Sequence, residues 1–360
     1  MRMLVRSQQH GRGGAATMGE DGDLGTAAAV FAAQRRRLFG IAYRMLGTAA
    51  DAEDILQETW IRWQGADRTQ VQDPPAFLAT ITTRLAITQL QSARVRRETY
   101  IGPWLPEPVS TQDDPALGAE RGEALDLALL LTLERLTPTE RAAYILREAF
   151  DYPYARIAEI ISSSAVNARQ LVRRARAHLT SGRPASVAPA QQRRLLDAFL
   201  AAARRGDVQE LEGLLARDVA SRTDGNGVKL AARIPVHGRA RVARFVAAFS
   251  HHFWTGKTIG WITVNGQAAA TLSEGGRVTT LVTVTASEEG IAQIHWVMSP
   301  EKLGHVNAAT QLTAPGDSTR RTDRTDPADP VEPAQPVEPA DASEGPVPPG
   351  NPGAAAGGPG

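Results

Sequence analysis

Cysteine is absent from all 360 residues, which excludes disulfides, thiolate-ligated zinc and thiol redox switching. A reducing compartment fits that absence. The chain also lacks an apolar run long enough to span a membrane and an N-terminal signal-peptide core, so the expectation is a cytoplasmic protein with no membrane attachment. Tyrosine stops at Tyr154, which leaves the second half of the chain without a phenolic acid or base of its own. Neither sign of charge dominates: the net charge is +1, yet basic residues gather in the first half and acidic ones near the C-terminus, so the total conceals local patches. No cofactor and no metal is expected. The length suits two or three domains.

The most informative stretch runs from Thr137 to His178. Thr137, Pro138 and Glu140 form a capping box with proline in the first turn, and Ala142, Ile145, Leu146, Ala149 and Phe150 follow at helical spacing. Asp151 and Pro153 break the pattern before a short second helix carrying Ile157 and Ile160. After the polar run Ser162 to Ser164, a third helix buries Ala168, Leu171, Val172, Ala175 and Leu179. Gln170, Arg173, Arg174 and the flanking Arg169 are left facing outward. No acid occurs between Ala165 and His178. Short helix, turn, basic helix is the arrangement that sets Arg and Gln against base edges in a DNA major groove. The plainer reading is a helical hairpin with a solvated basic face.

Upstream, residues 1–27 show no usable periodicity and are expected to lack structure, with Met18 an alternative start. A basic amphipathic stretch from Phe31 ends at Gly47. Thr48 and Asp51 then cap a helix with Ile55, Leu56, Thr59 and Trp63 on one side and Asp51, Glu53, Asp54, Gln57 and Glu58 on the other. The acidic side is either a solvated helix start or a docking surface for a basic partner. Asp73 caps a third helix with Phe77, Leu78, Ile81, Leu85 and Leu90 apolar, and with Arg84, Arg94, Arg96 and Arg97 suited to phosphates. The Pro-rich GPWLPEP, Gly102 to Pro108, opens a linker. Trp104 and Leu105 between prolines suggest an extended segment that docks rather than a mere spacer.

A second linker follows His178. From Gln191 the pattern is α+β: a helix through Arg205, one through Ala216, one from Arg239 to Ser250, and strands at Ile259 to Val264, Val278 to Thr285 and Ile291 to Val297. Residues 307–360 are Pro, Ala, Gly and acid, with PVEPA twice, and are expected to stay disordered.

Taken together, GIAYRMLGTAADAEDILQETWIRW, the basic FLATITTRLAITQLQSARVRRE and the helix-turn-helix resemble regions 2 and 4 of an extracytoplasmic-function (ECF) sigma factor of the sigma-70 family, over roughly Phe31 to Thr180. The linker motif plus a SnoaL-like C-terminal domain resembles the SigJ-type subgroup. The resemblance implies two all-α sigma domains, a helical bundle at 28–100 and a helix-turn-helix at 123–181, joined by a linker at 101–122. An α+β cone-shaped domain at 190–306 would follow. It further implies a non-enzymatic promoter-specificity subunit with core RNA polymerase and promoter DNA as partners. Asp51, Glu53, Asp54, Gln57 and Glu58 would dock on polymerase, and Arg84, Arg94, Arg96 and Arg97 would hold the −10 element. Ser164, Asn167, Arg169, Gln170, Arg173 and Arg174 would read the −35 element. Regulatory contacts would come from Trp104, Leu105, Pro106, Glu107, Pro108, Asp224, Gly225 and Lys302.

There are departures. The family's DGGGK pattern stands here as Asp224, Gly225, Asn226, Gly227, Val228, Lys229, with the lysine displaced, and its NPDKL pattern as Ser299, Pro300, Glu301, Lys302, Leu303. Thr88, Gln89 and Gln91 replace charged residues common in the −10 helix, implying a weaker or altered grip there. The SnoaL-like fold raises a rival, a DNA-binding regulator with a ligand-sensing or weakly catalytic domain, for which Asp224, His237, His251, His252 and His295 are the acid-base candidates. A small-molecule ligand of that domain is left unidentified.

Overall fold

A computed structural model describes residues 15–111, 126–180 and 187–313. The helical half comprises α1 (Ala15–Leu46), α2 (Ala49–Gln64), α3 (Pro74–Glu98), α4 (Leu127–Leu133), α5 (Pro138–Glu148), α6 (Tyr154–Ile160) and α7 (Ala165–Thr180). The caps read from the sequence form as expected. Thr48 accepts from the Asp51 N–H at 3.3 Å, Asp73 from the Ala76 N–H at 3.1 Å, and Thr137 and Glu140 complete a reciprocal capping box. Gly47 stops α1 with φ +77°, a conformation costly for any residue with a Cβ.

One apolar core runs through α1 to α7. Leu38, Ile41 and Leu46 of α1, Leu56 and Trp63 of α2, and Leu78 and Leu90 of α3 share it with Leu146, Ile157 and Val172 of the helix-turn-helix. The two helical pieces therefore bury their apolar faces against each other, not separately. Hydrophobic burial drives that union, at about 25 cal/mol per Å² of apolar surface.

The α+β half contains α8 (Pro189–Arg205), α9 (Val208–Leu214), β1 (Leu215–Asp224), β2 (Val236–His237), α10 (Arg239–Ala248) and α11 (Ser250–Phe253). It continues with β3 (Thr258–Val264), β4 (Gln267–Glu274), β5 (Arg277–Ser287), β6 (Gly290–Val297) and α12 (Gly304–Thr313). Six strands form one sheet in the order β2-β1-β6-β5-β4-β3, with β1 and β6 parallel and the other pairs antiparallel. Alternation divides its faces. Val282, Val284, Ile294 and Trp296 pack with α8 to α11, while Leu281 and Val297 face the other way, into a smaller core with Leu303, Val306 and the linker residue Leu105.

Four expectations change. Helix α1 starts at Ala15, inside the stretch 1–27 expected to lack structure; its alanines favour helix, and Ala27 is buried with its carbonyl accepting from the Trp63 indole N–H at 3.0 Å. Residues 1–14 lie outside the described residues. The helix expected through Ala216 ends at Leu214, because Leu215 already pairs with β6. Strand β4 was unforeseen, since its alanines and serine are weak strand formers; the Asn265-Gly266 turn, with φ 52° and 74°, is the local signal that folds it onto β3. Finally, α12 continues past Asn307 to Thr313. Val306 is buried, and the Asn307 side chain bonds both backbone groups of Val278, at 2.8 and 3.2 Å. The tail assignment beyond 313 and most of the acidic linker, 112–125, lie outside the described residues. Among the described residues, no helix is long and apolar enough to cross a membrane.

Candidate functional site

Asp224 ends β1, and its fully buried carboxylate is the focus of three donors. Lys302 Nζ at 2.6 Å and the Leu105 backbone N–H at 2.7 Å reach one oxygen, and the Tyr100 hydroxyl at 2.5 Å reaches the other. The Asp224 carbonyl accepts from the N–H groups of Met298 and Ser299 at 2.7 and 3.0 Å, which turns the chain leaving β6 so that Lys302 returns to the same spot. Lys302 also donates to the Leu105 carbonyl at 2.5 Å, and its ammonium lies 4.4 Å from the Trp104 ring centre. One ion pair thus grips both polar groups of Leu105. Burial draws the Lys302 pKa down to about 8 against the pull of Asp224, so the pair is still ionic at neutral pH. Burial and the adjoining carboxylate push the Tyr100 phenol upward, which keeps it a donor.

The turn after Asp224 survives the departure from the family pattern. Asn226 and Gly227 take φ 43° and 86°, and Gly225 is needed because a Cβ there would come within 2.2 Å of Ala231 Cβ. Lys229 is exposed and has no part in the clamp.

Prolines at 103, 106 and 108 shape the linker, and Leu105, Glu107 and Val109 donate their N–H groups alternately. Leu105 donates to Asp224, Glu107 to the Gly47 carbonyl at 2.8 Å, and Val109 to Asn265 Oδ1 at 3.0 Å. Successive tethers therefore go to the sheet domain, the helical half and the sheet domain again. The buried Glu107 carboxylate, its pKa raised by desolvation, accepts from the Ala49 N–H at 2.8 Å at the start of α2. Tyr43 of α1 donates to the Glu107 carbonyl at 2.6 Å and accepts from Asn265 Nδ2 at 2.7 Å. Beyond Pro108, Ser110 bridges to Val264, which pairs the linker with the open edge of β3. Trp104 stacks under the Arg97 guanidinium, 3.6 Å from its ring centre, and lies so close to Gly47 that a Cβ there would be 2.7 Å from its ring.

Tyr43, Tyr100, Asn265 and Gly47 were not anticipated as site residues. Tyr100, next to the linker motif, Gly47 as a helix stop and the Asn265-Gly266 turn carried a local signal; Tyr43 carried none. The phenol missing from the second half of the chain is supplied by the first.

Two of the four expected DNA-facing arginines of α3, Arg84 and Arg97, are engaged internally. Arg84 donates to the carbonyls of Ile160 and Glu159, each at 2.9 Å, and to Ser162 Oγ at 3.1 Å, capping the C-terminus of α6. Arg97 pairs with Glu134 and the Leu46 carbonyl as well as with Trp104. Arg94 and Arg96 lie in the last turns of the same helix. On α2, Asp54 and Gln57 are exposed, Glu53 pairs with Arg35 at 2.6 Å, Glu58 with Arg62 at 2.8 Å, and Asp51 sits at the cap with Gln89 3.4 Å away. On α7, Ser164 accepts from the Asn167 N–H at 3.1 Å, Arg174 pairs with Glu140 at 3.1 Å, and Arg169 lies over Tyr154. Gln170 and Arg173 are exposed.

The acid-base candidates do not converge. His237, His251 and His252 are exposed; His295 is buried, and desolvation with the nearby Arg222 draws its pKa down to about 3, so it stays neutral. The cavity inside the sheet domain has a volume of about 40 Å³ and is walled by Phe245, Phe249, Phe253, Trp254 and Trp296, with neither Asp224 nor a histidine in its lining.

Comparison with known proteins agrees with this architecture. The Sigma-70 region 2 family model matches residues 30–96 and the Sigma-70 region 4 model residues 126–179. The ECF RNA polymerase sigma factor SigJ of Mycobacterium tuberculosis is 40% identical over 233 residues, covering 63% of this chain and 74% of the relative. A probable ECF sigma factor SigI of the same species is 38% identical over 200 residues, covering 54% and 69%. The crystal structure of M. tuberculosis SigJ superposes with a TM-score of 0.62 at 33% identity, over 77% of this chain and 98% of that one. Two sigma-type helical pieces followed by a SnoaL-like sheet domain, with relatives that match across that length, identify the chain as a member of the ECF RNA polymerase sigma factors of the sigma-70 family.

Proposed function

We propose that the C-terminal domain modulates this sigma factor by clamping the linker, which keeps regions 2 and 4 together until a signal releases them. The observation that carries the reading is the alternate tethering of Leu105, Glu107 and Val109 to both halves, locked by the buried Asp224–Lys302 pair. Elements at −10 and −35 lie about 25 base pairs apart, roughly 85 Å of B-DNA at about 3.4 Å per pair. Helix α3 touches the helix-turn-helix directly, with Arg84 Nε 2.9 Å from the Ile160 carbonyl, so the two regions must part before one molecule reads both elements. On parting, Arg84 would be released toward the −10 strand, which it is assigned to hold together with Arg94, Arg96 and Arg97.

Docking on core polymerase is assigned to α2 through Asp51, Glu53, Asp54, Gln57 and Glu58. Charge reversal should weaken an acidic surface against a basic partner. The Asp54→Lys, Glu58→Lys double variant is expected to lose core polymerase in a pull-down while keeping a native circular dichroism spectrum. Binding at the parental level would leave α2 as a solvated face.

Reading of the −35 element is assigned to α7, with Ser164 and Asn167 ordering its start and Arg169, Gln170, Arg173 and Arg174 facing the groove. Arg173→Ala and Gln170→Ala should each weaken promoter binding of the holoenzyme by about 1–3 kcal/mol if each side chain makes a good base contact. Electrophoretic mobility shifts on the cognate promoter measure it, and parental affinity in both variants would refute the placement. The rival catalytic reading is disfavoured because the Asp224 carboxylate is saturated by donors from the chain itself.

A further inference from the structure

A second cavity, of about 260 Å³, opens where the linker, the sheet and the segment after α4 meet. Pro103, Trp104, Leu131 and Pro235 supply apolar walls, and Thr132, Arg135, Arg222 and Gln293 the polar ones; no acidic residue lines it. Arg222 projects from β1, and its Nη1 is buried without a hydrogen-bond partner, as is Gln293 Oε1. Among the described residues neither Arg135 nor Arg222 has an ion-pair partner. Burial first, and the nearby Arg135 charge second, lower the affinity of Arg222 for its proton. A guanidinium nitrogen buried at a cavity wall without an acceptor is costly until a counter-group reaches it.

We propose that this cavity binds a small organic anion, a carboxylate or phosphate monoester on an apolar body, gripped by Arg222 and Arg135. The planar guanidinium fork matches two oxygens of either group, the Gln293 amide can turn to donate, and the Trp104 and proline walls suit a ring. Benzene fits a cavity of roughly 150 Å³, so the larger volume here has room for a ring with its anionic group. The cavity is too small for a nucleic-acid strand. Because Arg135 leads into the helix-turn-helix and Arg222 belongs to the sheet domain, the bound anion links region 4 to the C-terminal domain. Its effect on transcription rests on the clamping proposed above; its binding does not.

The test uses the full chain with benzoate and phenyl phosphate as probes, at ionic strength matched with sodium chloride. Saturable binding is expected by calorimetry for at least one probe, with a change in tryptophan fluorescence, and the stronger probe identifies the anion class. Arg222→Gln and the more exposed Arg135→Gln should each weaken it at least tenfold, while Arg241→Gln, an exposed arginine on α10, leaves it unchanged. No saturable binding of either probe, or equal affinity in the parent and both cavity variants, would overturn the site. Binding with no change in reporter transcription would leave the site standing and sink the clamping model.

Discussion

Lys302→Ala is expected to lower the unfolding free energy of the chain by about 3–5 kcal/mol, the usual consequence of removing one partner from a buried ion pair. Asp224 would keep its Tyr100 and Leu105 donors but lose the ammonium that pairs with its fully buried carboxylate. The Leu105 carbonyl would lose its donor too. Asp224→Asn should cost a comparable amount, because the ammonium is then the unpaired charge. The double variant, Asp224→Asn with Lys302→Met, is expected to cost clearly less than the sum, since neither charge remains to be desolvated. Urea unfolding of the four proteins measures the coupling. Additive losses would mean that the two side chains act independently and that the ion pair does not hold the linker.

Trp104→Ala and Leu105→Ala should raise transcription from the cognate promoter in a reporter assay by loosening the closed arrangement. Leu105 is buried between the sheet and α12, so its truncation costs about 3 kcal/mol of linker docking. Trp104 is only partly buried, but it loses its contacts with Arg97 and Lys302, each on the order of 1 kcal/mol. Gly47→Ala approaches the same point from the other side: a Cβ there would press on Trp104 at 2.7 Å, on a backbone with φ +77° that disfavours it. All three variants should also expand the molecule in small-angle scattering. Output and dimensions equal to the parent in the linker variants would remove the linker from the control of region 4.

Much of this architecture is written locally. The capping box at Thr137, the apolar spacing of α5 to α7 and the stop at Gly47 each depend on groups within about one helical turn, and a hydrogen bond or a shared face at that range is legible from residue order. Trp104 and Leu105 were legible for another reason: large apolar groups among prolines have no use in a solvated spacer. Strand β4 was less accessible because its alanines have little preference, and the Asn265-Gly266 turn alone marked it.

What the sequence determined by itself was the order of its helices, the composition of the basic helix, and a linker whose free N–H groups alternate between prolines. What only the tertiary structure decided was where long-range polar groups find partners. Tyr100 and Asp224 are 124 positions apart, and Asn265 and Tyr43 are 222 apart. Arg84 and Arg97 have the composition expected of phosphate ligands, yet packing of the two helical pieces into one core brings α6 carbonyls and Glu134 within reach first. A charged side chain satisfies whichever counter-group burial places beside it, and burial is decided by the whole apolar surface of the chain, which no local window contains.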